Sequence, residues 1–259
     1  MRPSLPSERF TVGEWVVDCF CSDQFNSHLS WKQALPELMP RFQRPDQILK
    51  HDHRSCVGLV NIGSEKYIVK KFILQSSWFW FQLTSRFFPS LGEIACRNAL
   101  ELNRLGLLTP LPILLLQTFK QKMVTDCWMV YRYLEGRELS NGDGKDTVAY
   151  VRRMHEAGWI HCDPHPANFI LTPQGLATLD PIRARCSRNR YSVAYDVMLM
   201  EHDYPEAVDF YGRGRLGMWL FLARGGHNLV RSYRYTKQTT RQLLGLKVNS
   251  EDKSHSNRP

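Results

Sequence analysis

Alternating and periodic apolar positions along the chain predict strands in its first half, with one helix between them. Lys66–Phe72 has the composition of a strand and follows a turn at Asn61–Ser64. Apolar residues then recur at 95, 99, 102 and 105, which is helical spacing, and Gly106 ends that helix. The apolar run Cys127–Tyr131 predicts a buried strand that continues into an extended connector.

The second half of the pattern predicts a helix followed by a hairpin. Thr147–Ala157 has helical periodicity, and Gly158 is a natural helix stop. Two short strands, Phe169–Leu171 and Leu176–Leu179, flank a turn at Thr172–Gly175. The polar stretch between helix and hairpin is therefore a loop.

This loop carries the most informative residues of the chain. Asp163 is followed five residues later by Asn168, and Asp180 comes at the end of the returning strand. Phosphoryl transfer from a nucleotide uses this order: one carboxylate orients the attacking hydroxyl and takes its proton, while an amide and a second carboxylate hold Mg²⁺. The spacing predicts Asp163 as the base and Asn168 and Asp180 as metal ligands. A polar loop with two unrelated acids is the alternative.

A kinase catalytic loop requires a strand lysine and a helix glutamate before it. Lys70 follows an apolar run and would contact the α- and β-phosphates, whereas Lys71 would point to the other face and fits a surface lysine. Glu93 lies near the start of the predicted helix and could pair with Lys70. Glu101, two turns further along, is interpreted as exposed.

These motifs together resemble the protein-kinase-like fold and, more narrowly, the lipopolysaccharide core heptose kinases of Gram-negative bacteria. The resemblance covers roughly residues 50 to 205. It rests on Tyr67–Lys70, Glu93 with Leu105-Gly106, Tyr133–Gly136, Met154–Gly158, Asp163–Ile170, Leu179-Asp180 and Ala194–Glu201.

The resemblance implies an α+β, two-lobed protein-kinase-like fold with a small strand-rich N-terminal lobe and a mostly helical C-terminal lobe. The expected boundaries are 1–132 for the nucleotide-binding lobe, 133–248 for the catalytic and acceptor-binding lobe, and 249–259 for a polar tail. It implies ATP and Mg²⁺ as cofactors, with Lys70, Glu93, Asn168 and Asp180 binding the nucleotide. Asp196 would hydrogen-bond the catalytic-loop backbone in a structural role.

The chain also departs from the kinase pattern. Cys162 stands where glycine is commoner before the catalytic Asp, and Pro181-Ile182 replaces the Phe-Gly that follows the metal Asp in protein kinases. The phosphate-covering loop is poor in glycine, with Gly58 and Gly63 as its candidates. No Ala-Pro-Glu peptide-docking segment follows Asp180, which argues against a protein substrate.

The amino-acid composition indicates which partners and which cellular compartment to expect for the predicted reaction. The 259 residues carry a formal net charge of +9, which favours phosphates, anionic lipid or nucleic acid as partners. Seven scattered cysteines without a CxxC pair favour a reduced, cytosolic environment. The N-terminus lacks the apolar segment of a secretory signal, and no apolar run reaches the length of a membrane span.

Two regions suggest contact with a membrane. Aromatic residues are concentrated between 78 and 88, where packing between the lobes is the alternative to insertion at a lipid interface. Eight Lys and Arg residues and no acid occur between Phe210 and Ser250, beside apolar segments. This block favours an anionic inner-membrane surface over nucleic acid, and a solvated basic face stays as an alternative.

Four arginines follow Asp180 and bear on the acceptor: Arg183, Arg185, Arg188 and Arg190. They would repel a cationic aminoglycoside and favour an acceptor with its own carboxylates or phosphates, and we predict Arg183 and Arg185 as substrate-binding residues. The expected function is phosphorylation of a heptose hydroxyl of the lipopolysaccharide core, in the cytoplasm at the inner face of the inner membrane. The alternatives are another small-molecule or ubiquinone-pathway kinase, although its Lys-x-Gly-Gln motif is absent, and a non-catalytic nucleotide-binding scaffold.

Overall fold

A computed structural model describes residues 8–20, 30–73, 86–211 and 216–229. Trp78 and Trp80 of the aromatic cluster, most of the basic block and the tail 249–259 lie outside these residues. The chain divides into two compact units, Met1–Ser140 with Pro166–Arg185, and Asn141–His165 with Cys186–Pro259. The predicted lobe boundary at residue 132 and the tail boundary stay predictions.

The first unit is built on a seven-stranded antiparallel sheet. Its strands are β1 Glu8–Val12, β2 Trp15–Cys19, β3 Gln47–His51, β4 Ser55–Ile62, β5 Glu65–Phe72, β6 Pro112–Lys120 and β7 Met123–Arg132. Their order across the sheet is β1-β2-β6-β7-β5-β4-β3, with β5 paired to β7 in the middle.

Two helices cover opposite faces of this sheet, because successive strand side chains point to opposite sides. Helix α1 (Trp31–Gln43) packs on the face that carries Val69 and Trp128. Helix α2 (Leu91–Arg104) packs on the face that carries Ile68 and Met129. Both helices begin with a capping box, a serine that exchanges hydrogen bonds with the side chain three residues later, which satisfies otherwise orphan backbone donors.

A small antiparallel hairpin completes the first unit. Its strands are β9 (Phe169–Thr172) and β10 (Gly175–Thr178), and the backbone of Arg137 pairs with Leu171 beside it. Short 3₁₀ turns at Pro166–Asn168 and Pro181–Arg183 flank the hairpin. The predicted strands and the turn between them are confirmed.

The described part of the second unit is mainly helical. It contains a 3₁₀ turn at Asn141–Asp143, α3 (Gly144–Glu156), the short strand β8 (Trp159–Ile160), α4 (Arg190–Glu201), α5 (Ala207–Tyr211) and a helix over 216–229. Strand β11 (Arg185–Cys186) joins the two units in sequence. Gly158 has φ +82°, a conformation that suits glycine and ends α3 where the sequence predicted it.

The predicted α+β class is confirmed, and the sheet followed by helices is consistent with a two-lobed kinase-like fold. The six cysteines in the described part of the chain are free thiols, and burial raises the pKa of Cys127 to about 12. Within the described residues, we find no helix that combines the length and apolar character needed to cross a bilayer.

Candidate nucleotide site and catalytic loop

Lys70 lies on β5, between Val57 of β4 and Met129 of β7. Its side chain is on the α2 face of the sheet and is only 9% exposed. The Lys70 ammonium lies 2.9 Å from Oδ1 of Asp180 and 5.4 Å from the centre of the Phe72 ring. A central strand, rigid because it is paired on both sides, therefore presents a nearly buried cation to one predicted metal ligand.

Lys71 points to the opposite face, as the alternation of the strand predicted. Its ammonium pairs with Asp126 at 3.1 Å and lies 5.0 Å from the ring of Trp128. The Lys71 side chain is 44% exposed. Of the two lysines, only Lys70 lies against Asp180.

The β9–β10 hairpin brings Asn168 and Asp180 to the same end. Phe169 pairs with Thr178, so the residues just outside this pair are adjacent as well. The amide of Leu179 donates to the carbonyl of Asn168 at 2.8 Å, and the Thr178 hydroxyl donates to the same carbonyl at 3.2 Å. Asp180 follows directly, so the two predicted ligands are neighbours by strand register.

Asn98 of α2 holds the segment after Asp180 through hydrogen bonds that the sequence did not predict. The buried amide of Asn98 donates to the carbonyls of Pro181 at 2.8 Å and Ala184 at 2.6 Å. Asn98 lies on the apolar stripe of α2, three residues after Ala95. A polar residue on a buried helix face requires a hydrogen-bond partner. The position of Asn98 on this stripe is therefore the sequence feature that could have predicted its role.

Glu93 does not make the predicted pair with Lys70. It is the third residue of α2, and its carboxylate accepts the backbone N–H of Ser90 at 2.6 Å. The Ser90 hydroxyl in turn accepts from Gln117 at 2.7 Å. The rival Glu101 pairs with Arg104 at 3.3 Å and is 18% exposed, which is less than the sequence suggested.

The turn before β4, the strand that pairs with β5 at Lys70, contains no glycine. Lys70 on β5 pairs with Val57 on β4. The turn Asp52–Arg54, which joins β3 to β4, lies a few residues before Val57. Ile73, just past Lys70, donates its amide to the Arg54 carbonyl at 2.8 Å. Neither Gly58 nor Gly63, the glycines predicted for a phosphate-covering loop, belongs to this turn.

Local backbone geometry explains why glycine occupies both candidate positions. A side chain at Gly58 would come within 2.4 Å of Pro45, and Gly63 has φ +61° in the following turn. The Asp52–Arg54 turn is held instead by a carboxylate: burial opposes ionisation of Asp52, but N–H donors and Lys50 outweigh it and lower its pKa to about 2. Arg54, whose Nε donates to Nε2 of His53 at 3.1 Å, adds a cation to this turn.

Tyr131 is the buried aromatic neighbour of Asp180. Burial raises the pKa of the Tyr131 phenol far above its ordinary range, and the negative charge of Asp180 adds to the effect. Tyr131 therefore keeps its proton at every physiological pH. It contributes no second negative charge beside Asp180.

The predicted base, Asp163, lies in the second unit, on the loop after β8, where its side chain is half-buried. Asp196 on α4 holds the loop just before it: Oδ1 accepts the Cys162 amide at 2.7 Å, and Oδ2 accepts the His161 amide. Cys162 has φ +65°, a left-handed conformation that costs a non-glycine residue about 1–3 kcal/mol. The two bonds to Asp196 stabilise that turn, as the family resemblance implied.

The arginines that follow Asp180 are all exposed. Arg183 and Arg185 belong to the unit that contains Lys70, on the segment that Asn98 holds. Arg188 and Arg190 belong to the unit that contains Asp163, where the Arg188 side chain lies against Gly158. Phe87 and Phe88, the described end of the aromatic cluster, are also exposed, so neither is packed in a core.

Comparisons with known proteins add the following. No protein-family model and no curated protein matches the chain. Among the solved structures with a similar fold is WaaP in complex with acyl carrier protein, at 13% sequence identity and a TM-score of 0.45. The match covers 73% of this chain and 91% of that one. We therefore base the functional proposal on the residues of this chain.

Proposed function

We propose that the protein is an ATP-dependent phosphotransferase that acts on a sugar hydroxyl. The observation that carries the proposal is the Lys70–Asp180 pair, at 2.9 Å, at the end of the hairpin that also presents Asn168. A nearly buried lysine on a central strand, a carboxylate and an amide are the groups that kinase-like enzymes use to hold a metal-bound triphosphate.

The donor set fits MgATP. Mg²⁺ takes oxygen ligands from one or two protein side chains and completes its shell with phosphate oxygens and water. The Asp180 carboxylate and the Asn168 amide supply such oxygens, and Lys70 and Arg54 supply positive charge for phosphates. When bound, MgATP would supply the phosphoryl group. Without MgATP, the charges of Lys70 and Asp180 balance each other. When MgATP binds, a phosphate group would replace Asp180 as the partner of Lys70, and Mg²⁺ would replace Lys70 as the partner of Asp180.

Asp163 would orient the acceptor hydroxyl and receive its proton. Its order and spacing before Asn168 support this role, together with the backbone turn that Asp196 holds. Half-burial leaves the carboxylate reachable while limiting its mobility. The chain thus has a group for each task of the transfer: Lys70 for phosphate, Asn168 and Asp180 for metal, and Asp163 for the hydroxyl.

The acceptor that we propose is a heptose of the lipopolysaccharide inner core. Exposed arginines after Asp180 favour a sugar that carries phosphates or carboxylates, because the guanidinium group binds either in bidentate fashion. The sequence resemblance to heptose kinases supports the same acceptor. A cationic aminoglycoside would meet the like charge of these arginines there.

The proposal is tested with the purified full-length protein, MgATP and three acceptors. These are a core oligosaccharide with unphosphorylated heptose, kanamycin, and a generic protein substrate such as casein. We expect phosphate transfer, read by mass spectrometry, to the heptose alone. Transfer to kanamycin or casein but not to the oligosaccharide would overturn the acceptor, and nucleotide binding with no transfer to any acceptor would favour a scaffold.

Replacing Arg183 and Arg185 with Gln should raise the acceptor KM about tenfold or more while changing the ATP KM little. Each lost charge-assisted hydrogen bond is worth about 1.5–3 kcal/mol when it is not compensated by water. Steady-state kinetics with each substrate varied in turn measures the two constants. The matched control is Lys32→Gln with Arg44→Gln, which removes two exposed charges on or beside α1 of the same unit. Equal effects of the two double variants would contradict the assignment.

The helix over 216–229 offers a surface for the proposed membrane contact. Met218, Phe221, Leu222 and Leu229 share one exposed face, while Leu216, Leu220 and Ala223 on the other face are buried. The sequence around this helix carries eight Lys and Arg and no acid. Of these, Arg224 is balanced by Glu201 at 2.6 Å. An apolar stripe within a basic segment is typical of contact with anionic lipid.

Replacing Phe221 and Leu229 with Gln should weaken binding to anionic vesicles about tenfold or more, because burying each side chain contributes up to about 1.5–3 kcal/mol. Flotation with phosphatidylcholine vesicles, with and without phosphatidylglycerol, measures this. Phe119→Gln with Ile48→Gln removes two exposed apolar side chains of the other unit as control. Wild-type binding by the 221/229 variant would contradict the proposal, and a change from dimer to monomer would identify a second copy as occupant.

A further inference from the structure

Three side chains of the second unit form one hydrogen-bonded row beneath the catalytic loop. The hydroxyl of Tyr211 on α5 lies 2.7 Å from Nδ1 of His155 on α3. Nε2 of the same imidazole lies 3.1 Å from Oδ2 of Asp196 on α4. The side chains of His155 and Asp196 are 5% and 1% exposed, so water does not compete for these bonds.

The row ends on the backbone that carries Asp163. The same Oδ2 that meets His155 accepts the His161 amide, and Oδ1 accepts the Cys162 amide. These amides belong to the two residues directly before Asp163. Because Cys162 is held in a left-handed conformation, the direction of the chain at Asp163 depends on both bonds.

One arrangement of the protons satisfies every bond of this row while the imidazole is neutral. Burial raises the pKa of the Tyr211 phenol above its ordinary value, and the charge of Asp196 adds to this, so Tyr211 keeps its proton and donates. A neutral imidazole that accepts at Nδ1 carries its own proton on Nε2. That proton is then donated to Asp196, which accepts from three donors and gives none.

We infer that Tyr211 is a positioning residue for catalysis: its hydroxyl fixes the His155 tautomer, which holds Asp196, which in turn holds the turn that carries Asp163. This inference rests on the proposed role of Asp163. Without the Tyr211 hydroxyl, the imidazole can carry its proton on Nδ1 instead. A lone pair at Nε2 would then face the carboxylate, and Asp196 would lose one of its donors.

The test is Tyr211→Phe, which keeps the ring and removes only the hydroxyl. We expect kcat to fall about tenfold or more, because small displacements of a reacting group are costly, with the ATP KM unchanged within about twofold. Hydrogen exchange of the His161 and Cys162 amides should become faster. The matched control is Tyr195→Phe, which removes a hydroxyl 3.2 Å from Nδ1 of His227 in the same unit, outside the row. It should retain wild-type kcat and exchange.

Each outcome is decisive. Wild-type kcat, or unchanged exchange at His161 and Cys162, in Tyr211→Phe would overturn the inference. If the wild type transfers no phosphate at all, the proposed function fails, and the exchange comparison still decides whether Tyr211 holds the loop. If Tyr211→Phe does not fold, the tautomer of His155 can be measured in the wild type by nitrogen NMR. A proton on Nδ1 instead of Nε2 would overturn the inference.

Discussion

Asp163→Asn should lower kcat about 10²–10⁴-fold while leaving the protein folded, because a positioned general base contributes about that much to a proton transfer. The substitution keeps the size of the side chain and removes its ability to accept the hydroxyl proton. Asp163 is half-buried, and Asp196 accepts the two backbone amides directly before it, so the turn keeps these bonds in the variant. The variant should therefore melt at the temperature of the wild type.

Turnover of the oligosaccharide acceptor and a thermal melting curve are the two measurements. Asp146→Asn, an exposed carboxylate in the first turn of α3, is the control for a general effect of losing one charge from this unit. A kcat for Asp163→Asn within threefold of the control would remove Asp163 from the mechanism. A large drop in melting temperature would instead assign it a structural role.

Asp180→Asn should have the second-largest effect, and it should act through the metal. A site that holds Mg²⁺ with one carboxylate and one amide depends strongly on the single full negative charge. Its loss should raise the Mg²⁺ concentration needed for half-maximal activity about tenfold or more, since about 1.4 kcal/mol of lost metal binding already gives that factor. Lys70, 9% exposed, would also lose its 2.9 Å partner.

The chain contains a close control for this second effect. Asp126 pairs with Lys71, the next residue on β5, at 3.1 Å on the opposite face of the sheet. Asp126→Asn therefore removes a Lys–Asp pair from the same strand without touching the proposed site. Magnesium titrations of both variants separate metal binding from loss of an ion pair. Superimposable titration curves for wild type and Asp180→Asn would count against Asp180 as a ligand.

Local features of the fold could be predicted because local residues cause them. The helix that ends at Gly158 and the hairpin on either side of Thr172–Gly175 follow from periodicity and turn chemistry, and both are confirmed. The choice of Lys70 over Lys71 followed from strand alternation. The hairpin register then brings Asn168 close to Asp180, and no long-range information was needed for that.

One error was avoidable from the sequence. Ser90-x-x-Glu93 has the pattern of a capping box, and a glutamate that caps its own helix is occupied locally. The partner of Lys70 in the structure is Asp180 rather than the predicted Glu93. A local competitor three residues away has a smaller entropy cost of approach than a partner on another element.

The sequence by itself determined the order of the chemical groups: the strand lysine, then Asp163, Asn168 and Asp180 at fixed spacing. Only the tertiary structure decided which distant residues support them. Asn98 reaches Pro181 across 83 positions, and Tyr211 reaches His155 across 56. Such hydrogen bonds depend on where whole helices pack. Helix packing is driven by the burial of apolar surface, which is non-directional and summed over many residues. No local sequence pattern therefore encodes these long-range hydrogen bonds.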